Sequence, residues 1–300
     1  MSVPCIARLD APRPSTAGAY RQLPSGLFPP SPLPELVALP GLGILDTFAV
    51  EVLAGAQAEQ EAHRLRYEVY CRELGWEPCD GQPSGCERDA DDDRSVQLLF
   101  RHRASGRGVA TFRLVLADPQ DPLAPFPFEH HCPLLLPGMV DQEPARRLGC
   151  AELSRFCVVA PVRHGGAEGP VPWGLDPGQW QREWPHRRGL GRLMVLVAAQ
   201  AMLSIGLDWI YILSEAGLRS ILRSSGFPFT RVGPDIEWNG RRSPARCGRP
   251  TVRSGLGTPE GRVLAGTLAS LLRPALARHP LLGIYPVAGE AGVASGAGHG

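Results

Sequence analysis

Glu152, in the run AELSRF, is the residue best suited by type to accept a proton from an attacking amine, directly or through one water. A carboxylate that is partly buried can have its pKa raised toward neutrality, where a general base works best. Upstream, Glu87, Asp89 and Asp92 stand in the acidic run ERDADDD. Carboxylates gathered near Arg66 and Arg113 could hold a primary ammonium and position it; a solvated loop is their plainer use. In RLRYEVYCRELGW, Arg66 and Tyr70 lie one helical turn apart with Trp76 just beyond, a cation and aromatic rings able to grip a ligand or simply to pack. Further on, HRRGLG has glycines at Gly189 and Gly191 that predict a turn into a helix. Backbone N–H groups and a helix N-terminus would there face an anion, with Arg187, Arg188 and Arg192 adding charge.

The elements that must position these residues follow from hydrophobic periodicity. DTFAVEVLAG reads as a strand, and Ala58, Ala62, Leu65 and Val69 mark the buried stripe of the helix after it. SVQLLFRHR and RGVATFRLVLA, around a Gly-containing turn, predict an antiparallel hairpin that carries Arg113. AELSRFCVVAP is nearly continuous in apolar residues after Ser154 and reads as a central strand. Strand alternation puts Glu152 and Ser154 on one face and Arg155 on the other unless a bulge intervenes. A helix ending at Gly206, the strand DWIYILS, the helix EAGLRSILRSSGF, a strand FTRVG and a strand PDIEWNGRRSP entering an Asn-Gly turn complete the order, with an apolar helix around 257–278. The expected organisation is a Pro-rich disordered leader over residues 1–42, one domain over 43–250, and a C-terminal helix and tail over 251–300.

Composition narrows the classes. A net charge of +1 gives no basis for nucleic-acid binding, and no apolar run near 18 residues predicts a transmembrane segment. No secretory signal is read, so a cytoplasmic location is expected. All 31 basic residues are Arg, which rules out chemistry that needs a lysine amine. The 8 cysteines form no C-x-x-C pair, so reduced thiols are expected. Cys79, Cys86 and the His130–Cys132 run are too irregularly spaced for a zinc site, and no metal is expected.

This order of elements is that of the GCN5-related N-acetyltransferase (GNAT) fold. HRRGLG resembles that fold's R/Q-x-x-G-x-G/A loop, with His186 where Arg or Gln is usual. Arg66, Tyr70 and Trp76, then Glu87, Asp89 and Asp92, then Arg113, then Glu152, Ser154 and Arg155 stand in the order of the motif residues of the acyl-homoserine-lactone (autoinducer) synthases, a branch of that fold. Closer still is the resemblance to the PEP-CTERM/exosortase system-associated acyltransferases, carried by RYEVYCRELGW, DDDRSVQLLFRHRASG, EHHC, AELSRF and GPDIEWNGRRSP, from about Phe48 to Cys247.

The resemblance implies an α/β GNAT-like fold with a mixed central sheet flanked by helices. It implies transfer of a fatty acyl chain from an acyl-carrier-protein or acyl-CoA thioester to the amine of a small molecule, with no permanently bound cofactor. Glu152, Ser154 and Arg113 would be catalytic. Arg66, Tyr70, Trp76, Glu87, Asp89, Asp92 and Arg155 would bind the acceptor. Phe156, Val158, Arg187, Arg188, Gly189, Gly191 and Arg192 would bind the acyl donor, and these arginines with Arg219 and Arg223 would meet an acyl carrier protein. Leu222 stands where related acetyltransferases often carry a Tyr that protonates the leaving thiolate. Two alternatives stay open: a homoserine-lactone synthase using S-adenosylmethionine, and a non-catalytic acyl-chain sensor or scaffold.

Overall fold

A computed structural model describes residues 43–79, 85–164, 170–257 and 259–284. The expected leader and tail lie outside the described residues, as do the middle of the loop after Trp76 and part of the 164–185 insertion. A short helix α1 (Gly43–Thr47) runs into β1 (Phe48–Leu53), and α2 (Ala56–Arg66) passes without a break into a wide π-helical turn, Tyr67–Glu73. The hairpin follows as β2 (Ser95–His102) and β3 (Arg107–Leu116). The Pro-rich connection contains two helices too short for periodicity to reveal, α3 (Pro127–His131) and α4 (Pro144–Arg147), before β4 (Cys150–Val158) and the short α5 (Ala160–His164).

After α6 (Pro177–Arg182) comes α7 (Trp184–Ile205), then β5 (Trp209–Ser214) and α8 (Ala216–Ser224). Two short strands, β6 (Thr230–Arg231) and β7 (Ile236–Glu237), precede β8 (Arg241–Gly248), and the described chain closes with α9 (Arg249–Gly255), α10 (Pro259–Ala277) and a 3-10 turn at Pro280–Ile284. The strands form a mixed sheet in the order β1-β2-β3-β4-β5-β8-β6, with β7 paired to β8. Only β4 and β5 run parallel, and their pairing stops after Cys150, Ala151 and Glu152, beyond which the strands part. Asn239 and Gly240 both have positive φ, 46° and 94°, the geometry a tight hairpin demands, and join β7 to β8.

The main core lies on one face of the sheet, where Leu98, Phe100, Phe112 and Leu114 meet α7 and the Leu264, Leu268, Leu272 and Leu276 stripe of α10. The C-terminal helix is therefore part of the core. On the other face Ala62 and Leu65 of α2 and Val69 of the π-helical turn pack over Leu99 and Cys157. Phe126, Phe128 and Tyr211 form a third cluster at the α3 end. α7 is long and apolar enough to cross a membrane, yet 83% of its apolar window is buried inside this fold as the central helix.

HRRGLG, expected as a turn, is instead helical. α7 begins at Trp184 with Pro185 in its first turn, so Gly189 and Gly191 sit inside the helix and are buried. Their N–H groups belong to the helical ladder and cannot cradle an anion. Arg187 is also buried. Its guanidinium stacks 3.5 Å from the Trp180 ring centroid and donates from Nη2 to the Trp180 carbonyl at 2.8 Å. His186 meets Thr47 at 2.6 Å, so α1 covers the start of α7. Arg188 is exposed beside Trp184, and Arg192 is half-buried. We expect Arg187→Leu to cost about 2 kcal/mol in denaturant unfolding, the worth of a desolvated cation–π contact and a charge-assisted hydrogen bond. KM for an acyl donor should stay within about two-fold; a selective rise in that KM would restore a donor-binding role.

Candidate active site

β4 carries the chemistry because of one irregularity. Between the Arg113–Ser154 and Thr111–Cys157 pairs, β4 has two residues where β3 has one. Arg155 takes φ of 53°, in the left-handed region. This bulge answers the alternation problem: Ser154 and Arg155 both face the α2 side, and Phe156 returns to the α7 side, stacked on Phe112 at 6.0 Å.

Under α2 lies a closed ionic network. Arg66 donates from Nε to Glu87 at 2.5 Å and bidentately to Asp92 at 2.6 and 3.0 Å. Arg113 donates to Ser154 Oγ at 3.0 Å, to both oxygens of Asp89 at 2.6 and 2.9 Å, and to Asp92 at 2.8 Å. Arg155 reaches Glu87 at 2.9 Å and Asp89 at 3.0 Å. Gln97 adds a donor to Asp92 at 2.7 Å. Three guanidinium groups thus face three carboxylates, and Arg66 and Arg113 are fully buried. Burial pushes the carboxylates up, but the arginines outweigh it and hold Glu87, Asp89 and Asp92 below the ordinary range.

The wide turn at Tyr67–Glu73 separates this network from the cleft. Leu74 donates back to Val69, five residues earlier, at 3.0 Å, and Trp76 donates to the Tyr70 carbonyl at 2.8 Å. Arg66 consequently points into the network, while Tyr70 and Trp76 stack at 5.9 Å on the cleft side. Such widened turns cluster at functional sites.

The cleft opens where β4 parts from β5. It measures about 110 Å³ and is lined by Glu152, Ser154, Arg155 and Phe156 of β4, Ile212 to Ser214 of β5, Tyr70, Trp76, Glu77, Phe128, His131, Glu215, Trp238, Asn239 and Arg242, among others. Glu152 is 3% exposed and accepts the Phe128 N–H at 2.8 Å. Phe128 in turn stacks on Tyr211 of β5 at 5.2 Å, which fixes α3 against the sheet. Burial lifts Glu152 to a pKa of about 8, opposed by the Phe128 N–H and by Arg113. Pairing of β4 with β5 ends at Glu152, so the β5-facing edge of β4 beyond it lies along the cleft.

The structure therefore brings Glu152, Ser154, Arg155, Phe156, Tyr70 and Trp76 to one cavity. It does not bring Arg66, Arg113, Glu87, Asp89 or Asp92 to its wall. The acids are paired with arginines, and the same arginines reach Ser154 and the bulge. Val158 pairs with Ala110 in the core, away from the cleft. Sequence reasoning missed Glu77, Glu215, His131, Trp238 and Arg242. EHHC and GPDIEWNGRRSP, singled out by resemblance alone, contain the last three of these. Among the described residues no three metal-ligating side chains gather.

The family model described as an acetyltransferase (GNAT) domain matches residues 65–169. No curated protein matches the chain. Among solved structures, TofI in a ternary complex with an inhibitor and MTA is 20% identical, covering 71% of this chain and 98% of its own, at a TM-score of 0.47. The CoA-dependent acyl-homoserine lactone synthase BjaI, with SAM and isopentyl-CoA, is 18% identical, covering 75% and 99%, at 0.47. FeeM, an N-acyl amino acid synthase from uncultured soil microbes, is 14% identical, covering 69% and 93%, at 0.43. Residues 65–169 run from the end of α2 past the bulged β4, so the stretch similar to a GNAT acetyltransferase domain includes the strand that carries Glu152.

Proposed function

We propose that the protein is an N-acyltransferase that moves a fatty acyl chain from an acyl-carrier-protein or acyl-CoA thioester to the amine of a small molecule, in the cytoplasm where such donors are found. The exosortase-associated resemblance suggests the wider process it serves. One observation carries the reading: the parting of β4 and β5 at Glu152, which sets a buried carboxyl group beside an unpaired strand edge.

In this reading the thioester lies along β4 with its carbonyl oxygen toward the strand's β5-facing edge. The acceptor arrives as an ammonium. Its charge favours the ionised form of Glu152, which takes the proton, and the freed amine attacks the carbonyl carbon. N–H donors of β4 stabilise the oxyanion, and its collapse expels the thiolate; the second proton of the attacking nitrogen, released as the amide forms, passes through water to the thiolate, since Leu222 offers none. Ser154, held by Arg113, borders the reacting carbon.

The test is direct. Purified protein is incubated with dodecanoyl-CoA or dodecanoyl-loaded carrier protein and a panel of amines, and free thiol and N-acyl product are measured together. Stoichiometric appearance of both is expected. Methylthioadenosine formed only when S-adenosylmethionine is supplied would shift the reading to a lactone synthase; no product with any donor would favour a sensor.

A further inference from the structure

The cleft holds two cations, and they differ in how they are balanced. Arg155 is met by Glu87 at 2.9 Å, Asp89 at 3.0 Å and Glu77 at 3.4 Å. Arg242, on β8 just past the Asn239–Gly240 turn, has one carboxylate in reach, Glu215, at 3.5 Å. Its Nε donates to the Trp238 carbonyl at 2.6 Å and its Nη2 to the Asn239 carbonyl at 3.4 Å. Among the described residues no acceptor meets its Nη1. The side chain is 15% exposed, and the guanidinium lies 4.8 Å from the Trp76 ring centroid. Trp76, Trp238 and Asn239 all line the cleft with it, and Asn239 Nδ2 donates to the Trp76 carbonyl at 3.4 Å, which fastens the hairpin across the opening.

Building on the acyl-transfer reading, we infer that Arg242 is the receptor for a carboxylate carried by the amine acceptor, and so selects amino acids and similar short zwitterions. A cation held in an aromatic setting with its Nη1 donors open can take a carboxylate as a charge-assisted hydrogen-bond partner. Glu152 and Arg242 line the same cleft, so an acceptor whose nitrogen sits at Glu152 has Arg242 in the lining around its remaining atoms. Burial pushes Arg242 down, opposed by Glu215, and pushes Glu215 up in turn, so a substrate anion there relieves an incompletely balanced pair.

Wild type, R242M and R242K are given dodecanoyl-CoA, and separately dodecanoyl-loaded carrier protein, against the common amino acids and against their primary amides. N-dodecanoyl products are quantified by mass spectrometry. Wild type should acylate the acids at least about 10-fold faster than the matched amides. R242M should lose that preference through a rise in acceptor KM of about 10- to 100-fold, with kcat and donor KM little changed, and R242K should recover part of it.

Acids and amides treated alike by wild type, or a preference that survives in R242M, overturns the assignment and leaves acyl transfer standing. A rise in donor KM instead would assign Arg242 to the phosphate of the donor and overturns it equally. No N-acyl product from either series removes the acyl-transfer reading, and this inference falls with it.

Discussion

Glu152→Gln lowers turnover by about 10²- to 10⁴-fold, the usual worth of a positioned general base. The amide keeps the shape and can still take the Phe128 N–H, so the loss reports the missing proton acceptor. The pH profile supplies the second readout. With Glu152 at a pKa of about 8, kcat/KM in wild type rises with pH and levels off above that value; the variant lacks this inflection. A profile unchanged between the two proteins would remove Glu152 from the proton transfer.

The same substitution alters stability with a definite sign. Glu152 is protonated in the fold between its ordinary 4.5 and about 8, while the unfolded chain is ionised there. The folded state binds the extra proton, so this group costs stability as pH rises through that window, at about 1.4 kcal/mol per pH unit as an upper limit. Denaturant unfolding at pH 9 should therefore find E152Q more stable than wild type, with the difference vanishing below pH 4.5. The group that serves the reaction weakens the fold at the pH where it works best.

Asp92→Asn is the largest expected loss of stability, about 3–5 kcal/mol, the cost of removing one partner from a buried ionic network. Asp92 accepts from Arg66, Arg113 and Gln97 and from the Asp89 backbone N–H at 2.9 Å. Asn presents one oxygen to these donors and sets its own NH₂ against arginines. Urea unfolding at pH 7 measures the loss, and an unchanged midpoint would contradict the saturated network. On acidification the sign opposes that of Glu152. Glu87, Asp89 and Asp92 have depressed pKa values in the fold, so their contribution is complete above about pH 4 and is lost as pH falls below it.

The frame of the domain was legible because its elements are periodic: β1, α2, the β2–β3 hairpin, β4, α7, β5 and α8 all stand where hydrophobic spacing places them. β8 was only half legible: PDIEWNGRRSP read as a strand entering an Asn-Gly turn, and the three arginines and the proline of RRSPARCG gave no alternation to mark the strand that leaves it. HRRGLG misled because Gly-x-Gly punctuates loops in general; here the buried glycines lie within the central helix, whose neighbours override the local preference. In the site, residue types and order identified Glu152, Tyr70, Trp76, Ser154 and Arg155. Partners were another matter. Spacing along the chain shows that acids and arginines are present in matching numbers, but which pairs form depends on α2, β3 and the bulged β4 meeting in space. Arg242 belongs to the same category, since its openness is a property of what surrounds it.

The balance of three guanidinium groups against three carboxylates constrains how this domain can change over generations. Losing any one member strands a charge in the interior, so a lineage must alter two at once or pass through a crippled form. The β7–β8 hairpin carries only isolated pairs, Arg241 with Asp235 and Arg242 with Glu215. New acceptor preferences would arise there, residue by residue, while the ionic centre persists as inherited hardware.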